Sequence, residues 1–271
     1  MARKFLCSTG TLIGRPNGRD WRLLSPCGKK LRCDGLEFMM YDSWYDHAEE
    51  ITAFLKALPL PVVTMHCEKS IGEKISLGET ENALSRFRIN CAMAAGLGAR
   101  LMVVHLWNGV TSDKYMDRNL TVYPRLKEIA GNAGIALTVE NVVCNQRDPV
   151  THWREILKAD PGALFTFDTK MAAFHGQLEQ MYEEENRDLW PHIAHLHVND
   201  YGGGYMDWQH LQTLHPGEGH VDFDRLFAFL RRIGYDGDYT VEATSFDGDG
   251  VIHWDKLNRT LNRVSEYIGR E

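Results

Sequence analysis

The chain has 271 residues, 44% hydrophobic and 25% charged, a globular composition that excludes disorder and fibrous architectures. With 37 acids against 30 bases the formal charge is −7, and no Lys/Arg cluster builds the basic face that a nucleic-acid binder needs. The balance favours a protein handling small molecules.

No run approaches the ~18 apolar residues of a membrane span, and the basic start lacks the apolar core of a signal peptide. The six cysteines are scattered, with no CxxC pair. A cytoplasmic protein with reduced thiols is expected, without nucleic acid or membrane as partner.

Short apolar, β-rich segments alternate with longer segments of helical period, the pattern of parallel strands joined by crossover helices. A first strand near 4–9 leads into a Gly/Pro/Arg-rich loop, Gly14 to Arg32, and a second strand near 33–39. The segment from Asp46 to Leu58 places Ile51, Phe54, Leu55 and Leu58 on one helical stripe. Strands near 61–66 and 100–106 flank a longer helix from Glu79 to Leu97, stopped by Gly96 and Gly98. A helix near 119–133, a strand near 135–141, a helix near 149–158 opened by Pro149 and a strand near 163–168 follow. A helix near 172–187, a strand near 193–199, a helix near 222–233, a strand near 238–243 and a helix near 253–268 complete the pattern. Eight units of about 34 residues each suit α/β architecture of one kind, a single-domain (β/α)8 TIM barrel over residues 1–271. The open doubly wound sheet would carry GxGxxG after its first strand, and the chain does not.

Residues i and i+2 of a strand share a face. At the strand ends one figure recurs: Thr64-Met65-His66, Val103-Val104-His105, Thr138-Val139-Glu140, Thr166-Phe167-Asp168, His195-Leu196-His197 and Thr240-Val241-Glu242, with Gly35-Leu36-Glu37 as a looser copy. The apolar middle residue is expected to face the helices and the flanking pair the barrel axis. The final positions then gather Glu37, His66, His105, Glu140, Asp168, His197 and Glu242 at the C-terminal strand ends, where barrel active sites lie. Such a ring needs cations or shared protons to be tolerable. Glu140, Asp168, His197 and Glu242 offer three oxygens and one imidazole, a set suited to one divalent ion: Mn²⁺, Mg²⁺ or Co²⁺ before a structural zinc.

The remaining candidates are read two ways. His66 and His105 either contact substrate oxygens or bond neighbouring loops. Glu37 either binds a substrate hydroxyl or pairs with Lys69 or Arg32. His195 is expected to orient His197 from one layer below. His215, before Pro216-Gly-Glu-Gly, either donates to substrate or is simply exposed. Trp107 and Trp208 either wall a pocket or pack, and Lys170 is a charge partner for a carboxylate or phosphate. The Gly202-Gly-Gly204 run reads as a mobile loop, and Glu183-Glu-Glu185 as a solvated helix face.

From His66 to Phe246 the chain resembles the xylose isomerase-like barrels, the sugar phosphate isomerase/epimerase superfamily. The carrying motifs are Val103-Val-His-Leu, Leu137-Thr-Val-Glu-Asn, Phe167-Asp-Thr, His195-Leu-His-Val-Asn-Asp, His215-Pro-Gly-Glu-Gly-His-Val-Asp-Phe and Gly237-Asp-Tyr-Thr-Val-Glu, in that order. The resemblance implies a sugar-like substrate and Glu140, Asp168, His197 and Glu242 as the ligands of a single metal, for which Zn²⁺ also qualifies. It implies Glu140 and Glu242 as the acid/base pair, acting through an enediolate. Three positions depart from the 3-epimerase pattern: Met171 replaces a His, Gln146 a Glu and Gly203 an Arg. A dehydratase, or a non-catalytic sugar- or metal-binding barrel, remains the alternative, and association of barrels through their exterior helices stays open. The endonuclease branch needs further ligands where Leu211-Gln-Thr213 stands.

Overall fold

In the computed structural model, which describes residues 3–270, eight strands alternate with helices. They are β1 (Phe5–Ser8), β2 (Gly35–Met39), β3 (Val62–His66), β4 (Leu101–Val104), β5 (Ala136–Glu140), β6 (Leu164–Asp168), β7 (Ile193–Val198) and β8 (Asp238–Val241). They follow one another in chain order around a closed barrel, the (β/α)8 architecture expected. Recorded pairings are parallel, including β8 with β1.

The helices are α1 (Cys27–Lys30), α2 (Ala48–Lys56), α3 (Ser70–Ser76), α4 (Thr80–Leu97), α5 (Met116–Asn132), α6 (Pro149–Ala159), α7 (Thr169–Phe174), α8 (Phe223–Ile233) and α9 (Trp254–Tyr267). Their ends follow capping chemistry. The Asp148 side chain accepts from Thr151 N ahead of α6, and Asp222 caps α8 through Arg225 N. Left-handed Gly98 and Gly234 end α4 and α8, where a Cβ would be strained.

The chain falls into two compact units. One comprises the chain up to Glu37, Leu58–Pro61 and everything from Asp168; the other comprises Phe38–Ala57 and Val62–Phe167. In each, side-chain parity works as the period-2 argument requires. The inward Thr138 and Thr166 hydroxyls bond each other at 2.7 Å. Outward Phe165 stacks on Trp153 of α6, ring centroids 4.4 Å apart. In the other unit, inward His195 Nε2 meets Thr240 Oγ1 at 2.9 Å, while outward Tyr239 packs on Phe227 of α8.

Three stretches differ from the sequence reading. The helix expected near 172–187 is only α7 and then two 3-10 turns, Gln180–Tyr182 and Glu184–His192, because left-handed Gly176 breaks it. Glu183, Glu184 and Glu185 are exposed there, on turns instead of a helix face. The expected loop from Gly14 to Arg32 folds into turns at Arg15–Asn17 and Trp21–Leu24 and helix α1.

Helix α3 was not legible as a separate element. Ile71 and Ile75 are fully buried, and Gly72 lets the helix approach the end of β4: a Cβ on Gly72 would lie 2.4 Å from the His105 carbonyl oxygen. Gly72→Ala is therefore expected to cost about 1–3 kcal/mol by overpacking against backbone, read as a lower urea midpoint at unchanged m-value.

Candidate active site

In the unit that contains Asp168 onward, the organising group is Glu37, in the middle of β2 and 0% exposed. A buried carboxylate needs donors. Its Oε2 lies 3.0 Å from His195 Nε2 and 3.1 Å from His197 Nε2. Burial alone would push the Glu37 carboxyl up; the charges and hydrogen bonds of His197 and His195 outweigh it and hold the group well below the usual carboxylate range. Glu37 therefore positions the two imidazoles through Oε2. Its partners are not a lysine or an arginine. His195 does not orient His197 directly: its Nε2 is shared between Glu37 and Thr240, and the rings meet edge to face at 5.2 Å.

Because His197 donates Nε2–H to Glu37, its Nδ1 presents a lone pair on the other side. That nitrogen faces Asp168 Oδ2 at 3.8 Å and Glu242 Oε2 at 3.6 Å. A lone pair facing two carboxylates is repulsive unless a cation or a shared proton lies among them. These three ligand atoms lie within 4.8 Å of one another, and the donor set of hard oxygens and one imidazole fits a divalent ion.

Asn199 fixes the carboxylates. Its Nδ2 donates to Asp168 Oδ2 at 2.7 Å and reaches Glu242 Oε2 at 3.5 Å, while its Oδ1 accepts from Lys170 N and Thr169 Oγ1. Sequence reasoning missed Asn199, although it stands two residues after His197 and so shares the inward parity.

Lys170, in the first turn of α7, is 6% exposed and donates Nζ–H to Thr213 Oγ1 at 2.9 Å. His215 is buried and fully engaged: Nδ1 meets Thr260 Oγ1 of α9 at 2.6 Å, and Nε2 donates to Thr244 O at 3.0 Å with Ser245 Oγ at 3.4 Å. It ties the loop to α9 instead of reaching for substrate, and burial pushes its pKa down. The loop after it is held by buried Asp200, which accepts from the N–H groups of Gly217, Gly219 and Val221. A Cβ on Gly219 would lie 2.5 Å from Asp200 Oδ1, which explains the glycine.

Gly203 stands where the 3-epimerase pattern has an arginine. Tyr201 fills the space, its hydroxyl 2.4 Å from a would-be Cβ, and His220 Nε2 donates to the Gly203 carbonyl at 2.6 Å. The Gly202–Gly204 run is thus tied down on the Tyr201 side. Met171 spends its N–H on Asp168 Oδ1, capping α7. Trp208 is half exposed, its ring edge-on to Phe174.

In the other unit, Glu140 ends β5 and collects two imidazoles on Oε2: His105 Nε2 at 2.7 Å and His66 Nε2 at 3.1 Å. His66 Nδ1–H donates to the Cys67 carbonyl at 2.8 Å, which leaves Nε2 facing the carboxylate. Burial pushes His105 down to about 4, against the pull of Glu140. Both histidines are thus neighbours of the candidate acid/base group.

Trp107 is fully buried, donating from Nε1 toward the Val142 and Val143 carbonyls, so it pins the segment after β5 and does not wall an open pocket. The same segment hangs on Asp113, a residue with no sequence signal. Its carboxylate accepts from the N–H groups of Asn145, Gln146 and Arg147 and from His152 Nε2 at 2.9 Å. Cys144 also lies near this pair. The Asp113 oxygens are already taken up by these donors and by Ser112, so the cluster is a strut and not a metal centre. Gln146 itself is exposed.

A family model described as xylose isomerase-like TIM barrel matches residues 28–259. A curated relative, the uncharacterized protein MJ1311 of Methanocaldococcus jannaschii, is 27% identical over 194 residues, which is 65% of this chain but only 61% of the relative's length. Among solved structures, an IOLI protein with a bound zinc atom superposes with TM-score 0.73 at 15% identity over 98% of both chains. The 3-keto-D-glucoside 4-epimerase YcjR of E. coli gives 0.68 at 19%, covering 97% of this chain and 99% of its own. D-allulose 3-epimerase of Methylomonas sp. gives 0.71 at 15%, covering 98% and 97%. At these identities the structural likenesses establish the fold.

The Asp113 strut makes a pH-dependent prediction. Burial opposes charge on both partners, but His152 and the backbone N–H groups depress the Asp113 pKa, while Asp113 and Glu155 raise that of His152. The Asp113 contribution is present above its ordinary 3.8 and lost as pH falls toward its folded value. The His152 contribution is present below its ordinary 6.5 and lost as pH rises through its folded value. Asp113→Asn should therefore cost most, about 2–3 kcal/mol, between about pH 4 and 6.5, and less at about pH 9. Chemical denaturation across pH measures it.

Proposed function

Because the chain belongs to the xylose isomerase-like TIM barrel family, we propose that it is a divalent-metal-dependent isomerase or epimerase acting on a small sugar or sugar-derived carbonyl compound. The observation that carries the reading is His197. Its Nε2 is committed to Glu37, so its Nδ1 faces Asp168 and Glu242 in an arrangement that calls for a cation. Asp168, His197 and Glu242 would hold the ion, with Glu140 as fourth ligand because it closes the same inward three-residue figure on β5 that Glu242 closes after β8. Three oxygens and one imidazole favour Mn²⁺, with Mg²⁺, Co²⁺ and Zn²⁺ as the other candidates. When bound, the ion supplies Lewis acidity to substrate oxygens beside the carbon that loses its proton.

The two glutamates move the proton. Glu242 is the more open, with its side chain 12% exposed against 2% for Glu140. Removal of a proton next to a carbonyl by one, and its return by the other, gives epimerisation at the same carbon or isomerisation at its neighbour. His66 and His105 back Glu140 and share its proton, so that it can alternate between acid and base. Asn199 keeps Asp168 and Glu242 apart and oriented while charge shifts between them. The fold neighbours named as 3- and 4-epimerases support the sugar assignment as a class.

The test is solvent-deuterium incorporation into a panel of aldoses and ketoses by protein supplied with Mn²⁺, alongside metal analysis of the purified chain. About one ion per chain and exchange into at least one sugar are expected. Glu140→Gln and Glu242→Gln should each lower exchange by about 10²- to 10⁴-fold with the fold intact, and a variant exchanging at the wild-type rate would remove that residue from the pair. Glu37→Gln frees His197 to take the other tautomer and should weaken metal binding about 10- to 100-fold, measured by competition with a chelating dye.

A further inference from the structure

Lys170 is a buried cation without a counter-ion. Its backbone is locked: Lys170 N donates to Asn199 Oδ1 at 2.9 Å, and the preceding Thr169 hydroxyl bonds the Asn199 carbonyl. The side chain, 6% exposed, ends on one neutral partner, the Thr213 hydroxyl. Among the described residues no carboxylate comes within ion-pair range of it. An ammonium held in a mostly buried position beside a single hydroxyl is incompletely compensated, and a lysine with a free choice would run its stem to solvent.

The surroundings point to what completes it. Lys170 lies two residues beyond Asp168. Thr213 accepts from the N–H of Thr244 at 3.3 Å, and Thr244 lies two residues beyond Glu242. The ammonium thus belongs to the same strand ends as the Asp168–His197–Glu242 group. It is also close to the surface, because Gln212 and Thr244 are exposed and Thr213 is half-buried. Two of its N–H groups remain, and the Thr213 hydroxyl, having accepted from Nζ, keeps its own proton to donate. Three donors around one positive charge match an anionic oxygen group. The same charge is what an anionic substrate needs in order to approach a site built from carboxylates in a chain of net charge −7.

We propose that Lys170, held by Thr213, recognises an anionic group on the substrate, a carboxylate or a phosphate ester, so that the substrate is a sugar acid or a sugar phosphate instead of a neutral sugar. This rests on the reading of the site as a sugar isomerase or epimerase. It accords with two departures from the 3-epimerase pattern: Gln146 is exposed and Gly203 has no room for a side chain. Recognition shifts from neutral hydroxyls to a fixed charge.

The experiment compares binding of D-gluconate, D-glucose 6-phosphate and D-glucose to the full-length chain, with and without saturating Mn²⁺, for wild type, Lys170→Met and Lys170→Arg, and records Tm without ligand. One charge-assisted contact should make an anionic probe bind about 10- to 100-fold tighter than glucose. Lys170→Met should abolish that preference and Lys170→Arg should restore part of it. Lys170→Met should also raise the ligand-free Tm, because it removes an uncompensated buried charge, an effect that a purely structural lysine would reverse. Preference for gluconate assigns a carboxylate and preference for glucose 6-phosphate assigns a phosphate; either supports the proposal. Equal binding of all three probes by wild type, an anion preference that survives Lys170→Met, or a lower Tm in that variant would overturn it. Deuterium exchange into a neutral sugar alongside any of those results would leave the isomerase reading standing, whereas anion binding lost with Lys170→Met but no exchange into any sugar would sink that reading alone.

Discussion

A carboxylate with no exposure cannot remain ionised without donors, and Glu37 obtains both of its donors from one strand. His195 and His197 each direct Nε2 to the same oxygen. From that constraint the rest of the site follows. An imidazole whose Nε2 is committed has only Nδ1 to offer, so the side of His197 that meets Asp168 and Glu242 is decided by a buried glutamate on β2. The electrostatic cost of burying Glu37 is offset by the charges and hydrogen bonds of His197 and His195. Among the described residues, Oε1 of Glu37 and Nδ1 of His195 have no hydrogen-bond partner.

The same device holds the loops. Asp200 captures the N–H groups of Gly217, Gly219 and Val221, and Asp113 captures those of Asn145, Gln146 and Arg147. In each case a buried carboxylate gathers several backbone donors from a segment with no ladder of its own, which satisfies polar groups that would otherwise face a dry interior. The consequence is functional. Loops at the strand ends set which groups face a substrate, and here they are anchored from beneath, while Trp107 and His215 act as pins.

Much of this was legible in order along the chain. Strand and helix positions followed from alternation of period 2 and period 3.6, and the inward placement of Glu140, Asp168, His197 and Glu242 followed from parity at the strand ends. Helix α3 was obscured because it is short and its buried face is only Ile71, Gly72, Ile75 and Ser76. The segment after α7 looked helical because its apolar spacing is helical, yet left-handed Gly176 ends α7 and extended Glu183 separates the two 3-10 turns that follow. Asp113 gave no signal at all, and Asp200 entered only as the end of a motif, since an aspartate that binds loop N–H groups has the same sequence as one on the surface.

Sequence alone therefore determined the barrel, the family to which it belongs and the set of ionisable residues that end its strands, because these depend on local periodicity and on motifs that are contiguous. Tertiary structure decided what each of those residues faces. Glu37 and His197 are 160 positions apart, and Glu140 is 74 from His66. Whether an imidazole offers Nδ1 or Nε2, whether a glutamate is a ligand or a support, and whether a lysine is paired are properties of partners that only folding brings together. Protonation and orientation follow from those long-range contacts, which no local pattern encodes.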